Sequence, residues 1–344
     1  MDAVGRRRGA QARGTDTAAG PRPFHLIAVS AGENPSFDYF LQPRLGPEGG
    51  SMVLDLASGP GALPDRAPEG LALVFCRYVP PLWLAWTLRH AKRLGGLGIF
   101  LDDDYAGLVL DRMVPLRYRW KVMRLGLVPW RVLSGHFTHV WTGSDALAKR
   151  LGHPRAVPLE PIAPAQDLAG RPEAASPGEA TRLAFHATAV HRREHLWLAA
   201  LADRLRAAAP STRLEVVADR WLAPIWREHP WVEIQPPQSW PAYRDTARRG
   251  VADLFLVPLV DARINDGRSF SKVIDAVRLG AVPLLADAPA YRPLAGLTPL
   301  LPPDPQAWIE AVVRYGSDAG LRARTLAALR SRLIADRAAV RPLL

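Results

Sequence analysis

The sequence predicts an α/β protein made of two doubly wound domains. Its 344 residues suit two domains of ordinary size. Short apolar runs alternate with helical segments along most of the chain, which is the pattern of a parallel sheet covered by helices on both faces. The alternation stops once, in a stretch rich in proline and alanine, and then restarts. The sequence therefore divides into two similar series of elements.

The first series occupies residues 21–165. It consists of buried strands that are each followed by a polar loop or a helix, and Ser144 stands where it caps the helix after it. The predicted strands are Phe24–Ser30, Leu71–Cys76, Leu97–Leu101 and Thr138–Thr142, and the predicted helices are Leu82–Leu94 and Asp145–Leu151. We expect residues 1–20 to form a disordered tail, because they are polar and carry no apolar stretch.

The second series occupies residues 181–344, after a linker at 166–180. Its elements again alternate, and two further helices close the chain. The predicted strands are Arg182–Ala187, Leu214–Val217, Val232–Gln235, Asp253–Pro258 and Val282–Ala286. The predicted helices are Arg193–Ala208, Leu222–Glu228, Tyr243–Arg249, Phe270–Leu279, Gln306–Tyr315 and Gly320–Asp336. Two such sheets bind ligands in the cleft where the carboxyl ends of their strands face each other.

Composition narrows the classes of function. The net charge of +11 favours anionic partners, although an arginine-rich composition also fits a GC-rich genome. Cys76 is the only cysteine, which excludes an intramolecular disulfide and a cysteine-rich metal site and favours a cytoplasmic location. No run of 18 apolar residues predicts a transmembrane helix. No recognised nucleic-acid motif occurs, so we expect no nucleic-acid partner.

The most informative segment follows the strand that ends at Pro258. A polar loop leads into a helix that starts near Ser269, and a helix N-terminus offers free N–H groups and partial positive charge to a phosphate. Arg268 and Lys272 add two cations suited to a diphosphate. Asp275, one turn further on, is placed to accept hydrogen bonds from ribose hydroxyls. An ordinary serine cap with solvated charges explains the same pattern about equally well.

Two further groups of polar residues follow strands. Thr188 and His191 come after the first strand of the second domain, where they reach phosphate or sugar oxygens or form a simple turn. Asp102, Asp103 and Asp104 directly follow the strand ending at Leu101 and suit a base, an acceptor-orienting group or a divalent metal site. A helix cap is the competing interpretation of the three acids, and a metal role is the least favoured.

The segment Leu116–Arg131 mixes basic, aromatic and aliphatic residues. One interpretation places it at an anionic membrane surface with its aromatic rings at the headgroups. The other is a helix that packs on the core and exposes a basic face to solvent.

These residues together resemble the donor domain of glycosyltransferases of the B-type fold, in the broad group 1 or family 4-like class. Members often show a strand ending in Pro-Leu, then Lys, an acidic residue with Ala, and Gly-(Val/Ala)-Pro before the next strand. The matching positions are Pro258-Leu259, Arg268-Ser269, Lys272, Asp275-Ala276, Gly280–Pro283 and Asp287–Pro289, with Phe100–Asp104 in the first domain. The similarity covers about residues 70–295. It departs from the family at Gly267, where members commonly carry a glutamate.

The resemblance implies two Rossmann-like domains facing across a cleft and the transfer of a sugar from a nucleotide diphosphate sugar to an acceptor hydroxyl. Arg268 and Lys272 would stabilise the departing phosphate without a metal or other cofactor, and Asp102, Asp103 and Asp104 would orient or deprotonate the acceptor. The implied donor-binding residues are Thr188, His191, Asn265, Ser269, Lys272 and Asp275.

Two related functions stay open at this point. A nucleotide-sugar epimerase has the same architecture, and Gly267 also fits a non-catalytic nucleotide-sugar-binding protein. For a transferase we expect a glycan or lipid-linked acceptor, a role in bacterial glycan biosynthesis, and a cytoplasmic location with peripheral contact at the inner face of the membrane.

Overall fold

The computed structural model describes residues 25–46, 51–65, 67–169, 180–249 and 252–344. The predicted tail at 1–20 and most of the predicted linker lie outside the described residues. The described chain forms two six-stranded parallel sheets. The strands of the first sheet are β1 His25–Ser30, β2 Ser51–Asp55, β3 Leu71–Cys76, β4 Gly96–Leu101, β5 His139–Thr142 and β6 Ala156–Pro158. Those of the second are β7 Thr181–His186, β8 Thr212–Val217, β9 Val232–Gln235, β10 Leu254–Val257, β11 Val282–Ala286 and β12 Leu300–Leu301.

Thirteen α-helices connect and cover the described strands. The helices of the first domain are α1 Pro81–His90, α2 Tyr105–Leu110, α3 Leu116–Val122, α4 Val128–Leu133, α5 Asp145–Leu151 and α6 Ala165–Leu168. Those of the second are α7 Arg192–Ala208, α8 Ala223–Trp226, α9 Trp240–Arg249, α10 Arg263–Asp266, α11 Ser271–Leu279, α12 Pro305–Ser317 and α13 Ala319–Ala338. A π-helical turn at Met123–Leu127 joins α3 to α4, so the two run as one continuous helical segment.

The strand order places a switch point in each sheet. The first sheet runs β2-β1-β3-β4-β5-β6 and the second β12-β11-β10-β7-β8-β9. The chain therefore changes its direction of travel between β1 and β3, and again between β7 and β10. In doubly wound sheets the loops that leave the carboxyl ends of such neighbouring strands open a crevice for ligands. The predicted fold class, two doubly wound α/β domains, is confirmed.

Local sequence explains where the elements near the crevice begin and end. Ser144 caps α5 as predicted, since its hydroxyl accepts a hydrogen bond from the Leu147 amide at 3.2 Å. Gly280 ends α11 with a φ of +75°, a left-handed conformation that lets the chain turn straight into β11. α11 starts at Ser271, two residues beyond the predicted position near Ser269.

Three strands and three helices were not predicted as elements, and one of these helices, α2, was implied only by the helix-cap interpretation of the three aspartates. β2, β6 and β12 are short, β2 and β6 expose much of their surface, and the three lack the apolar runs that mark β3 or β4. α6 lies at the edge of the predicted linker, and α10 lies within the predicted polar loop. Both have four residues, too few to show a helical period in the sequence.

The two domains share one continuous hydrophobic cluster. Phe40 and Trp141 of the first domain belong to the same buried cluster as Phe255 and Phe270 of the second. Ile264 of α10 goes further, since it is buried within the core of the first domain. The site residues are thus held between two domains that are packed against each other.

Candidate functional site

A cleft of about 510 Å³ lies between the carboxyl ends of the two sheets. Its walls come from the segments that follow β1, β3, β4, β7 and β10 and from the first turn of α11. The polar residues that line it include Ser36, Arg77, Asp102, Asp103, Thr188, His191, Arg268, Ser269 and Lys272. Both switch points therefore open into one cavity, with cations on the second domain facing carboxylates on the first.

The N-terminus of α11 forms the cationic wall. Phe270 precedes the helix and its side chain caps no backbone group, while the amides of Ser271 and Val273 donate to Ser269 Oγ at 3.4 Å and to Phe270 O at 2.9 Å. Lys272 points into the cleft and donates from Nζ to the His186 carbonyl at 2.8 Å. The same Nζ lies 3.3 Å from Asp275 Oδ2. The ammonium is therefore positioned by two protein oxygens while its side chain stays about one-third exposed.

Arg268 has hydrogen-bonding capacity that the protein leaves unused. Its Nη1 donates to Asp103 Oδ1 at 2.5 Å, across the cleft. Its Nε and Nη2 are buried and have no hydrogen-bond partner among the described residues. A buried donor without an acceptor costs about 1–3 kcal/mol, more when it is charged. Two such donors on one guanidinium at the wall of a cleft indicate a place for an anionic ligand.

Asp102 and Asp103 have opposite electrostatic environments. Burial raises the pKa of Asp102, and Arg77, 2.9 Å from its Oδ1, offsets this only in part. Burial acts against ionisation of Asp103 too, yet Arg268 and Arg77 outweigh it and lower the pKa of Asp103. The Ser36 hydroxyl donates to Asp102. Neighbouring acids with pKa values pushed apart are typical of a site where one group moves a proton and the other stays charged.

Arg77 is a site residue that the sequence analysis missed. Its guanidinium contacts both Asp102 and Asp103, with Nη2 2.7 Å from Asp103 Oδ2. Its φ is +69°, the one left-handed conformation outside glycine among the described residues. Such a backbone costs about 1–3 kcal/mol and persists where its surroundings enforce it. Here its N–H donates to Phe100 O at 2.9 Å and its carbonyl accepts from the Tyr105 hydroxyl. Its position directly after β3 is the feature that would have identified it.

The loop after β7 supplies Thr188 and His191. Thr188 is exposed to the cleft, and its hydroxyl does not cap the 3-10 turn that follows. Burial lowers the pKa of His191, so its ring is neutral near pH 7. His191 Nδ1 lies 3.5 Å from Glu194, a buried carboxylate that the sequence analysis did not single out. Glu194 organises this region by joining the β7 and β10 loops.

Asn265 serves that organisation and does not line the cleft. Its Nδ2 donates to Glu194 Oε1 at 2.6 Å and to the Val260 carbonyl at 2.8 Å. The Val260 N–H also donates to Glu194, at 3.2 Å. The structure thus places the predicted donor-binding amide beneath the loop, where it holds the loop shape.

Asp104 also turns away from the cleft. It caps α2 by accepting from the Gly107 amide at 2.9 Å, which is the helix-cap alternative for this acid. Its Oδ2 lies 3.1 Å from Arg263 and 3.4 Å from Arg150. A role in catalysis would need Asp104 to give up these partners, so the acidic wall consists of Asp102 and Asp103.

Asp275 is likewise buried and fully engaged. It accepts from the Tyr39 hydroxyl at 2.6 Å and pairs with Arg278 at 2.8 Å, besides its contact with Lys272. Burial acts against its charge, but Lys272 and Arg278 outweigh burial and lower its pKa. Tyr39 belongs to the first domain, so the Asp275 carboxylate links the two domains and positions Lys272. From the sequence, Asp275 was expected to contact the donor ribose instead.

Gly267 lies against α5 of the first domain. Its carbonyl accepts from the Ser144 hydroxyl at 2.8 Å, and a Cβ at this position would meet Leu147 Cδ1 at 3.4 Å. α5 of the first domain thus packs directly on the backbone of Gly267. A Cβ at that distance would be in ordinary van der Waals contact with Leu147, so the packing of α5 does not by itself require glycine at position 267.

The three aspartates do not converge on a common point. Asp102 and Asp103 pair with Arg77 and Arg268, and Asp104 pairs with Arg150 and Arg263. Within the ranges the structure describes, no group of three or more His, Cys, Asp or Glu residues is arranged to hold a metal ion.

The architecture matches solved structures of the B-type glycosyltransferase fold. A mutant of the Thermobaculum terrenum O-GlcNAc transferase aligns over 93% of this chain and 66% of its own, with 17% identity and a TM-score of 0.55. TarM aligns over 78% of this chain and 52% of its own, with 8% identity and a TM-score of 0.52. A mutant of S. aureus TarM in complex with fondaparinux, alpha-GlcNAc-glycerol and UDP aligns over 78% and 53%, with 7% identity and a TM-score of 0.51.

These similarities establish the fold of the chain as that of B-type glycosyltransferases. The chain spans about half to two thirds of the length of the structures it matches. No family model matches the sequence, and no curated protein matches it either.

Proposed function

We propose that the protein is a glycosyltransferase that moves a sugar from a nucleotide diphosphate sugar to a hydroxyl of a glycan or lipid-linked acceptor, without a metal. The observation that carries this proposal is the pair of unsatisfied guanidinium donors of Arg268, which lie beside Lys272 near the N-terminus of α11. These groups suit a diphosphate in size and charge. S. aureus TarM, of the same fold, was solved with UDP, and that supports a uridine donor here.

The first-domain wall supplies the acceptor side of the proposed reaction. Asp102 has a raised pKa and receives a hydrogen bond from Ser36, which suits a group that takes a proton from an attacking hydroxyl. As the sugar leaves, negative charge grows on the phosphate, and Arg268 and Lys272 stabilise it there. In this scheme the protein cations do the work that a divalent metal does in other transferases.

A thermal-shift screen tests the proposal. UDP, GDP, ADP and their sugar conjugates are each added to the purified protein, because a ligand that binds only the folded state raises its melting temperature. We expect a shift from at least one diphosphate, and a loss of most of that shift in Lys272→Met. Lys149→Met is the matched control, since Lys149 is an exposed lysine paired with Asp145 outside the cleft.

The outcomes separate the competing functions. Diphosphate binding with sugar transfer to an acceptor supports the proposal. Binding with epimerisation of the sugar, and no acceptor, indicates the epimerase. Binding without any turnover indicates a nucleotide-sugar-binding protein, and no shift with any nucleotide rejects the donor site itself.

A further inference from the structure

One face of the α3–α4 segment carries cations and apolar side chains without a single acid. The chain has no Asp or Glu between Asp111 and Asp145. The solvent side of the segment exposes four cations and four apolar residues, interleaved along the helix. They are Arg117, Lys121, Arg124 and Arg131, and Leu116, Trp120, Val128 and Val132. We call these eight residues the basic apolar face.

The opposite side of the same segment already supplies its core packing. Val122, Pro129 and Leu133 are buried there. The apolar residues of the basic apolar face are therefore surplus to the fold: Leu116 is 74% and Trp120 58% exposed. An ordinary solvated helix face does not gather a tryptophan and three aliphatic side chains around cations.

The cations of the face are also free of acidic partners. No carboxylate of the described residues forms an ion pair with Arg117, Lys121, Arg124 or Arg131. Lys121 instead lies over the Tyr78 ring, 4.9 Å from its centroid. Unpaired cations beside exposed apolar groups complement a surface that is anionic outside and apolar beneath.

We propose that the basic apolar face binds the surface of a membrane rich in anionic lipid. Trp120 and Leu116 enter the headgroup region, and the four cations contact lipid phosphates. No helix within the described ranges is long and apolar enough to cross a membrane, so the contact is peripheral.

The same helix connects this face to the cleft. Pro115 and Tyr118, at the start of α3, line the cavity between the domains. The Tyr118 hydroxyl accepts from Arg77 Nη2 at 3.2 Å, beside the acidic pair. Lipid binding at the face would bring the mouth of the cleft close to headgroups. This last step rests on the proposed function and assigns the acceptor to the lipid-linked class.

Vesicle co-sedimentation of the full chain tests the face. Vesicles of phosphatidylcholine alone are compared with vesicles that contain phosphatidylglycerol, and we expect binding only to the latter, with weakening by added salt. Trp120→Ala should weaken binding about tenfold, and Arg124→Glu about fivefold or more. Ile334→Ala and Arg324→Glu are the matched controls, because both residues are exposed on α13 of the second domain.

Three results would overturn the proposal. One is equal binding, or none, to the two kinds of vesicle. Another is binding that survives Trp120→Ala and is competed by heparin, which indicates a general polyanion surface. The third is a dimer in analytical ultracentrifugation that Trp120→Ala dissociates, which assigns the face to a second copy of the chain.

The nucleotide thermal shift of each variant is measured in parallel. It should equal that of the unaltered protein, since the face lies outside the donor site. Weakened vesicle binding with an unchanged shift in Trp120→Ala and Arg124→Glu supports the lipid surface. In the unaltered protein, vesicle binding without any nucleotide shift would count against the proposed function alone, and a nucleotide shift without vesicle binding would count against the lipid surface alone.

Discussion

Asp103→Asn should tighten the binding of a nucleoside diphosphate. Asp103 holds Arg268 Nη1 at 2.5 Å and, with its lowered pKa, is ionised near pH 7. A diphosphate that binds the free Nε and Nη2 of Arg268 still competes with this carboxylate for the charge of the guanidinium. The variant keeps a similar shape while it removes the charge.

The magnitude follows from the kinds of bond exchanged. A hydrogen bond to a charged acceptor contributes about 1.5–3 kcal/mol, and a neutral one about 0.5–1.5 kcal/mol. The bond from Arg268 to position 103 should thus weaken by about 1–2 kcal/mol in the variant. Because about 1.4 kcal/mol corresponds to a tenfold change, we expect UDP to bind roughly tenfold more tightly.

Isothermal titration of UDP into the unaltered protein and the variant measures this difference. Asp102→Asn is the control, since Asp102 pairs with Arg77 and Ser36 and not with Arg268, and its UDP affinity should stay within about twofold. An unchanged or weaker affinity in Asp103→Asn would show that Arg268 does not bind the diphosphate.

Three further predictions concern the chemistry and the domain contact. Asp102→Asn should slow transfer by about 10²–10⁴-fold. In the unaltered protein, kcat/KM should fall as the pH drops and Asp102 is protonated. Because burial raises the pKa of Asp102, this fall should occur at a pH above the usual aspartate range. Gly267→Glu should lower the melting temperature more than Gly135→Glu, because a Cβ at 267 meets Leu147 at 3.4 Å and one at 135 meets nothing within 4 Å. Ile264→Ala should lower the free energy of unfolding by about 2–5 kcal/mol in a denaturant titration, since Ile264 is buried between the domains.

The sequence predicts the fold well where burial is complete. β3 and β11 are buried throughout and have the predicted bounds to the residue. β9 and α5 also have the predicted bounds although they are only partly buried. A strand such as β3, whose residues are all buried, must be apolar throughout, and an uninterrupted apolar run can be recognised in the sequence. Edge strands meet no such requirement: β2 was not predicted, whereas the edge strand β9 was.

The position of site residues was predictable only as far as strand ends. The rule that ligands bind after strands led to Asp102, Asp103, Thr188 and Arg268, which all line the cleft. Applied to β3, the same rule would have found Arg77.

The sequence does not show which acidic residues face the cleft, because this depends on contacts with residues that are distant along the chain. Asp104 and Asp275 turn inward because Arg263 and Tyr39, far away along the chain, meet them there.

The central claim is that Arg268, Lys272 and the N-terminus of α11 bind the diphosphate of a nucleotide. Titration of UDP and of uridine into the same protein isolates the phosphate contribution to affinity. The account predicts that UDP binds at least about a hundredfold more tightly than uridine, because two or more charge-assisted bonds depend on the phosphates. It also predicts that Lys272→Met removes most of that difference. Equal affinities for UDP and uridine, or a difference that survives Lys272→Met, would contradict it.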